Sequence, residues 1–465
     1  MTVGCSSNSS WSRACTPDID ELGDFTHQSK SAGPAPLPAN SLPRVWPRFR
    51  TIYGAEVPAM IPLPKRYAVL VLSSTLLIPG CSSPTTAPIV TPPPNPALVT
   101  AVKQVLNGYL ASRGAAEHLS SLSMAVSYSA QSPTITITTG TTTYGGTTPI
   151  TPTSLYQIGS NTKAFTAVAI LQLEAAGKLS IDAPIGMYLP QYPKYANLTL
   201  RRLLNMTSGL QSYDNLLSWE TAYAQNPTLY VPADSLIRTV YPSIEFPPGS
   251  KYFYSNTGYL IAQEVVAALS DSKSFPAEMS RIIASVGLKN TFYTSNLYAP
   301  DIASRVVAGY YEQDDAGLQP LRGKDVTGYS LSWAQGAGSM VSTPTDLIMW
   351  ARALYTGTTL LPPKQRAELE SFVSTTTGQP ITKVDAENSA GFGLGVAQRY
   401  DADLGTFWFY QGETLGFRAA HLFFPDSGIV FAVFANSRPV GTESQLPQYF
   451  SQLYATIKKY APTSS

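Results

Sequence analysis

The chain has 465 residues, a formal net charge of +1 and only 13% charged residues, a balance that excludes the electrostatic footprint of a nucleic-acid-binding protein. Its three histidines (His27, His118, His421) are scattered without ligand spacing, so no histidine zinc site and no other metal or cofactor is expected. The three cysteines (Cys5, Cys15, Cys81) all precede the main body of the chain, which excludes a disulfide framework within it. Few charges and 27 tyrosines suit an exported protein.

In chain order, residues 1–59 are rich in Pro, Ser and Gly and read as a non-native or disordered extension ahead of a start at Met60. Lys65-Arg66 then lead into an apolar run from Tyr67 to Ile78 that ends in Ile78-Pro79-Gly80-Cys81. A basic start, a short apolar stretch and small residues before a cysteine resemble a bacterial lipoprotein signal over 60–80, with lipid on Cys81. The run is too short to span a bilayer comfortably. Residues 81–96 form a proline-rich tether, and 97–465 form the main domain.

Leu98, Val102, Val105, Leu106 and Tyr109 recur at helical spacing, whereas 123–128 and 134–138 alternate with period two and predict paired strands. Tyr156-Gln157-Ile158-Gly159-Ser160-Asn161-Thr162-Lys163 is an extended run that turns into an apolar helix closed at Gly177. Ser160 is placed at that junction as a helix N-cap, and Lys163 shares its helical face one turn later. A lysine at the start of a buried helix is costly unless it finds partners or releases its proton. Beside a serine hydroxyl such a lysine activates a nucleophile, which marks Ser160 and Lys163 as the catalytic pair.

A helical, loop-rich middle follows, with helices at 200–204, 264–269 and 347–355, the last capped by Ser342-Thr343-Pro344-Thr345-Asp346. Three strands at 407–410, 417–424 and 429–434, with turns at Gly412 and at 425–428, precede a last helix at 446–460. Strands at both ends with helices between them predict an α+β fold: a mixed, mainly antiparallel sheet built from both chain ends, flanked by helices, with a helical lobe.

Ser-x-x-Lys and Tyr-x-Asn are each weak signals, since Ser270…Lys273 and Tyr195-Ala196-Asn197 match them as well. Context singles out Tyr254-Ser255-Asn256, which lies between Phe246-Pro247-Pro248-Gly249 and a helix. The strand Tyr410-Gln411-Gly412-Glu413 supplies a third element, with Gly412 open to close approach by a substrate backbone. No G-x-S-x-G elbow of an α/β-hydrolase is present.

Together these segments resemble the serine β-lactamase and penicillin-binding-protein superfamily, and within it the class C β-lactamases, D-alanyl-D-alanine carboxypeptidases and related esterases. The likeness runs from about residue 96 to 436 and includes Leu203-Leu204-Asn205-Met206-Thr207-Ser208-Gly209-Leu210 and 336–347. It implies that Ser160 is acylated, that Lys163 accepts its proton, that Tyr254 serves the leaving group and that Asn256 orients Lys163 and the substrate. It also implies an oxyanion hole made by the N–H groups of Ser160 and Glu413, and leaves open whether Lys163 or an ionised Tyr254 is the base. Tyr410 stands where the family usually has Lys or His, and Met206 where it usually has His, the latter a structural change. A phenol supplies no full charge to a substrate carboxylate, so Tyr410 favours less anionic ester or amide substrates. Arg418 lies near in sequence, with its direction open.

The resulting expectation is a monomeric serine hydrolase acting on a small-molecule or peptide acyl substrate. It is exported and anchored by lipid to a bacterial membrane, facing the periplasm or cell exterior. The alternatives are a class C-like β-lactamase or D-alanyl-D-alanine carboxypeptidase, and a non-catalytic penicillin-binding-protein-like lipoprotein.

Overall fold

The computed structural model describes residues 95–440 and 444–461. The extension at 1–59, the signal at 60–80, Cys81 and the tether as far as residue 94 lie outside the described residues. Five helices carry the core and the site: α1 (Pro96–Arg113), α2 (Thr162–Ala175), α3 (Asn256–Leu269), α4 (Pro344–Tyr355) and α5 (Leu446–Tyr460). Helices α1, α4 and α5 each carry proline in the first turn, where a missing N–H costs no hydrogen bond, and at α4 the sequence signalled it. At α1 the Asn95 side chain accepts the Ala97 N–H at 3.0 Å, and at α4 Thr343 accepts from Asp346 at 3.3 Å. Among the described residues no helix is long and apolar enough to cross a membrane.

Eight strands form one sheet: β1 (Ser121–Ser127), β2 (Ile135–Gly140), β3 (Val373–Ser374), β4 (Ala390–Phe392), β5 (Ala397–Asp401), β6 (Gly405–Glu413), β7 (Arg418–Phe424) and β8 (Ile429–Ala435). Their order is β2-β1-β8-β7-β6-β5-β4-β3, so the first and last strands meet, with Leu122 opposite Ala435. The two ends of the chain therefore close the sheet, as strands at both ends of the sequence predicted. The mainly antiparallel sheet expected from the sequence is present, and within it every neighbouring pair is antiparallel. Short turns can join only antiparallel neighbours, and among the described residues parallel pairing lies outside this sheet, in the two-stranded ribbon of Ser437–Pro439 with Tyr310–Glu312 and the single bridge of Leu155 with Val306. Gly412 lies inside β6 rather than at a turn; the chain reverses at 414–417, where Thr414 N–H donates to Phe417 O at 3.0 Å.

Strands β1, β7 and β8 are buried on both faces, and residue parity divides them. Leu122, Met124, Leu422, Phe431 and Val433 pack with the terminal helices through Leu106 and Phe450. Ala125, Ala419, Phe423, Val430 and Phe434 face the helical lobe, where Phe165 of α2 stacks on Trp350 of α4 with ring centroids 3.6 Å apart. Burial of each large side chain contributes roughly 1.5–3 kcal/mol, and a one-residue slip would exchange the two faces, so register is strongly specified. Parity also settles Arg418. It shares the terminal-helix face with Leu422 and pairs with Glu117 at 2.7 Å, both side chains buried, on the opposite face from Tyr410. The guanidinium is committed to that buried pair and points away from Ser160.

Candidate active site

The short strand Tyr156–Gln157 pairs with Met340–Ser342 and runs into a tight turn, Gly159–Asn161, before α2 begins at Thr162. Ser160 is therefore not the N-cap. That position falls to Asn161, whose side chain makes no capping bond because it is used elsewhere. Asn161 Nδ2 donates to Ile158 O (2.8 Å) and Ala419 O (2.9 Å), and its Oδ1 faces His421 Nδ1 at 2.9 Å. Burial pushes the His421 imidazole down to about 3, so it is neutral. Its Nδ1–H donates to Asn161, and its Nε2 accepts from the Tyr355 hydroxyl at 2.8 Å. A strand histidine and the residue after the serine thus bind the turn to β7 and α4, a role with no short-range signature in the sequence.

Freed from capping, the Ser160 hydroxyl turns to two other groups. Tyr254 donates its O–H to Ser160 Oγ at 2.6 Å, and Lys163 Nζ lies 3.0 Å from the same oxygen. Lys163 is fully buried, and its Nζ also donates to Asn256 Oδ1 (2.6 Å) and the Ala337 carbonyl (2.8 Å). The rings of Tyr254 and Tyr259 lie 4.8 and 5.4 Å from Nζ. Burial pulls the amine down to about 7 from its ordinary 10.5, opposed by the carboxylate of Asp214. A charged ammonium would donate to all three neighbours. A neutral amine has two N–H donors for the carbonyl and amide oxygens, and turns its lone pair to the serine hydroxyl. The arrangement can take a proton from Ser160 near neutral pH.

Tyr254 lies on a loop and Asn256 opens α3, and the loop is held by the Met206-Thr207 segment. Gly249 N–H donates to Thr207 O at 2.7 Å and Phe253 N–H to Met206 O at 2.8 Å. Met206 is buried, and its sulfur accepts the Ser255 N–H at 3.3 Å, which accounts for it as a structural residue. Asn256 Nδ2 donates to Asp214 Oδ2 at 2.6 Å, a partner that the sequence reading missed. The two look-alike motifs go elsewhere. Tyr195 is buried in the core with its hydroxyl on Val240 O, and the exposed Lys273 donates to Ala268 O.

The end of β6 presses directly on the serine turn. A Cβ on Gly412 would fall 1.9 Å from Ile158 O and 2.8 Å from Ser160 N, and one on Gly159 would fall 2.6 Å from Glu413 N. Gly159 also has φ +48°, so neither position accepts a side chain without separating strand and turn. This contact brings the backbone of Glu413 beside that of Ser160. The Glu413 side chain faces away, held by Gln411 Nε2 (2.6 Å) and Arg438 Nε (3.2 Å). Tyr410 is buried with its hydroxyl 3.5 Å from that of Tyr254, and burial holds its phenol far above the ordinary range, so it is uncharged. Phe392 lies beside it, ring centroids 5.9 Å apart, and Tyr252 beyond Phe392 at 5.7 Å. Among the described residues no group of three or more His, Cys, Asp or Glu side chains could hold a metal ion.

The serine turn, the Tyr-x-Asn loop and the glycine-bearing strand edge are joined by a family model described as Beta-lactamase, which matches residues 109–454. This chain belongs to the Beta-lactamase family. Within that family of serine hydrolases, it is similar to a penicillin-binding protein of Bacillus subtilis (strain 168), with 28% identity over 212 residues, 44% of this chain and 46% of the relative. The chain spans about half the length of the curated relatives it matches. Its fold is that of a D-amino acid amidase from Ochrobactrum anthropi SV3 (TM-score 0.65, 24% identity, 78% of this chain and 99% of that one). A D-stereospecific amidohydrolase from Streptomyces shares it too (TM-score 0.62, 22% identity, the same coverage).

The buried amine sets a pH-dependent stability. Between pH 7 and 10.5 the unfolded chain binds a proton at Lys163 that the folded chain does not, so this group makes stability rise with pH across that window. Lys163→Met removes the effect. Its stability relative to wild type is expected to be highest at and below pH 7 and to fall by up to about 1.4 kcal/mol per pH unit above it. Urea unfolding of both proteins at pH 6.5, 8 and 9.5 checks this; a difference that stays constant contradicts it.

Proposed function

We propose that this family member hydrolyses ester or amide substrates through an acyl-enzyme on Ser160. The observation that carries the reading is the buried Lys163 amine, held by two acceptor oxygens with its third contact on the Ser160 hydroxyl. Lys163 takes the Ser160 proton as Oγ attacks the acyl carbon, which makes the lysine rather than Tyr254 the base. The N–H groups of Ser160 and Glu413 receive the developing oxyanion. Tyr254, on the same oxygen, passes its proton to the leaving alcohol or amine and is reprotonated by the proton Lys163 took; water then gives a proton to Lys163 as it attacks the acyl carbon, and that proton returns to Ser160 Oγ as the acid leaves. Asn256 holds the lysine and reaches toward the acyl portion of the substrate.

The substrate side of the proposal rests on Tyr410. An uncharged, buried phenol beside aromatic Phe392 offers a hydrogen bond and an apolar wall but no cation. Substrates whose acyl part lacks a carboxylate fit that wall, and amino acid amides and simple esters belong to this class. The likeness to the Bacillus subtilis penicillin-binding protein favours a second reading, in which β-lactams or D-alanyl peptides acylate the same serine. Both readings predict a fluorophosphonate adduct on Ser160 that Ser160→Ala abolishes. The first further predicts that penicillin acylates at least about tenfold more slowly than a p-nitrophenyl ester, and that Tyr410→Lys narrows the gap. Intact-mass and peptide mass spectrometry reads all of these. Faster acylation by penicillin selects the second reading, and no adduct from any acylating probe leaves the non-catalytic binder.

We also propose that the protein works as an exported lipoprotein tethered through Cys81, as a monomer. Incorporation of a palmitate analogue in the bacterial host is expected for wild type and absent for Cys81→Ala; incorporation that persists in the variant contradicts the anchor.

A further inference from the structure

Asp214 has no place in the chemistry so far, yet it sits two hydrogen bonds from the reacting pair. It lies in a short turn, Tyr213–Asn215, that follows the Thr207-Ser208-Gly209-Leu210 segment. One carboxylate oxygen accepts from Asn256 Nδ2 at 2.6 Å, and the other accepts from the Ser212 hydroxyl. Ser212 Oγ in turn accepts the Asn256 N–H at 2.8 Å, so the turn grips both the side chain and the backbone of Asn256. Among the described residues no Lys, Arg or His forms an ion pair with Asp214. Its negative charge is spent on a neutral amide.

A primary amide can present either end to a neighbour. A carboxylate can only accept, so it draws the NH2 end of Asn256 toward itself and leaves Oδ1 to face Lys163 Nζ at 2.6 Å. An acceptor there obliges Lys163 to donate. With Ala337 O taking a second N–H, a neutral lysine is left with its lone pair for Ser160. If Asn256 turned over, its NH2 would compete for that lone pair, and the serine would lose its proton acceptor.

We propose that Asp214 is a positioning residue that acts through Asn256 to aim the Lys163 lone pair at Ser160. The proposal deepens the hydrolase reading of Ser160 and Lys163 and rests on it for its consequence in catalysis. The carboxylate has a second effect through space, since it supports the charged form of the buried amine against the larger effect of burial. The groups facing Lys163 are the hydroxyl of Ser160, the phenols of Tyr254 and Tyr259, Asn256 and the Ala337 carbonyl. Asp214 is the one charged group among the described residues whose field shifts it. Removing the charge while keeping the shape therefore moves two quantities in known directions. The Lys163 midpoint falls, and the acylation plateau drops because Asn256 is no longer held one way round.

Asp214→Asn and Asp214→Glu test this with two readouts. The first is the Lys163 midpoint, followed as the 13Cε resonance of lysine-labelled protein and assigned by its absence in Lys163→Met. It is expected near 7 in wild type, about one unit lower in Asp214→Asn, and close to wild type in Asp214→Glu, which keeps the charge. The second is the rate of fluorophosphonate labelling of Ser160 between pH 5 and 9. Asp214→Asn is expected to lower the plateau about 10–100-fold and to move its acid limb to lower pH. An unchanged or raised midpoint in Asp214→Asn overturns the proposal, as does a loss of labelling that is uniform in pH with the midpoint in place, because that is the signature of a merely structural residue. If wild-type Ser160 takes no label at all, the hydrolase reading fails, while the titration still decides whether Asp214 governs Lys163.

Discussion

A lysine amine buried without a carboxylate in contact is the constraint around which the rest of this structure is arranged. Nζ meets a serine hydroxyl, an amide oxygen and a backbone carbonyl, with two aromatic rings alongside. None of these can neutralise a charge, so burial prevails and the amine sits near the pH at which it can gain or lose a proton. Three separate parts of the chain supply the surroundings: the turn before α2, the start of α3 and the segment before Met340. The helical lobe is needed to deliver them, and the depth of the lysine in that lobe is what pulls its proton affinity down toward neutrality.

The sheet contributes something different, a backbone edge. Strand β6 meets the serine turn so closely that Gly412 and Gly159 have no room for side chains, and Asn161, His421 and Tyr355 bind the turn from behind. Rigid placement matters because an oxyanion hole works only when its donors are already aimed. The antiparallel register that puts Gly412 opposite Ala419 and Tyr410 opposite His421 sets the proposed oxyanion edge and the proposed substrate wall together. A slip of one residue would bury Gln411 in the site and turn Tyr410 toward the terminal helices.

Much of this was legible from residue order. The period-two runs at 123–128 and 134–138, the helix start at Pro344 and the Ser160, Lys163, Tyr254 and Asn256 spacing all rest on local rules, and the structure brings those four side chains together. What local rules could not reach was set by tertiary contact. Ser160 has the composition of an N-cap, but the turn spends its hydroxyl on Lys163 and Tyr254. Arg418 was ambiguous until strand register fixed its parity and Glu117 supplied its partner. Asp214 and His421 act through hydrogen bonds to residues more than forty positions away, and such pairings leave no trace in spacing. Gly412 looked like a turn because glycine commonly marks one, whereas here it marks where two backbones touch.

Tyr410 separates the machinery from the choice of substrate. The contacts among Ser160, Lys163 and Tyr254 suit the proposed acyl transfer, while Tyr410 sets an uncharged phenol beside them. The central claim is that a neutral Lys163 draws the proton from Ser160. The direct measurement is the stopped-flow acylation rate with an uncharged p-nitrophenyl ester from pH 5 to 9.5, for wild type and Lys163→Met. The account predicts a rate that rises with a midpoint near 7 and a loss of about 10²–10⁴-fold in the variant. A rate that is flat through pH 7, or a variant that acylates as fast as wild type, would contradict it.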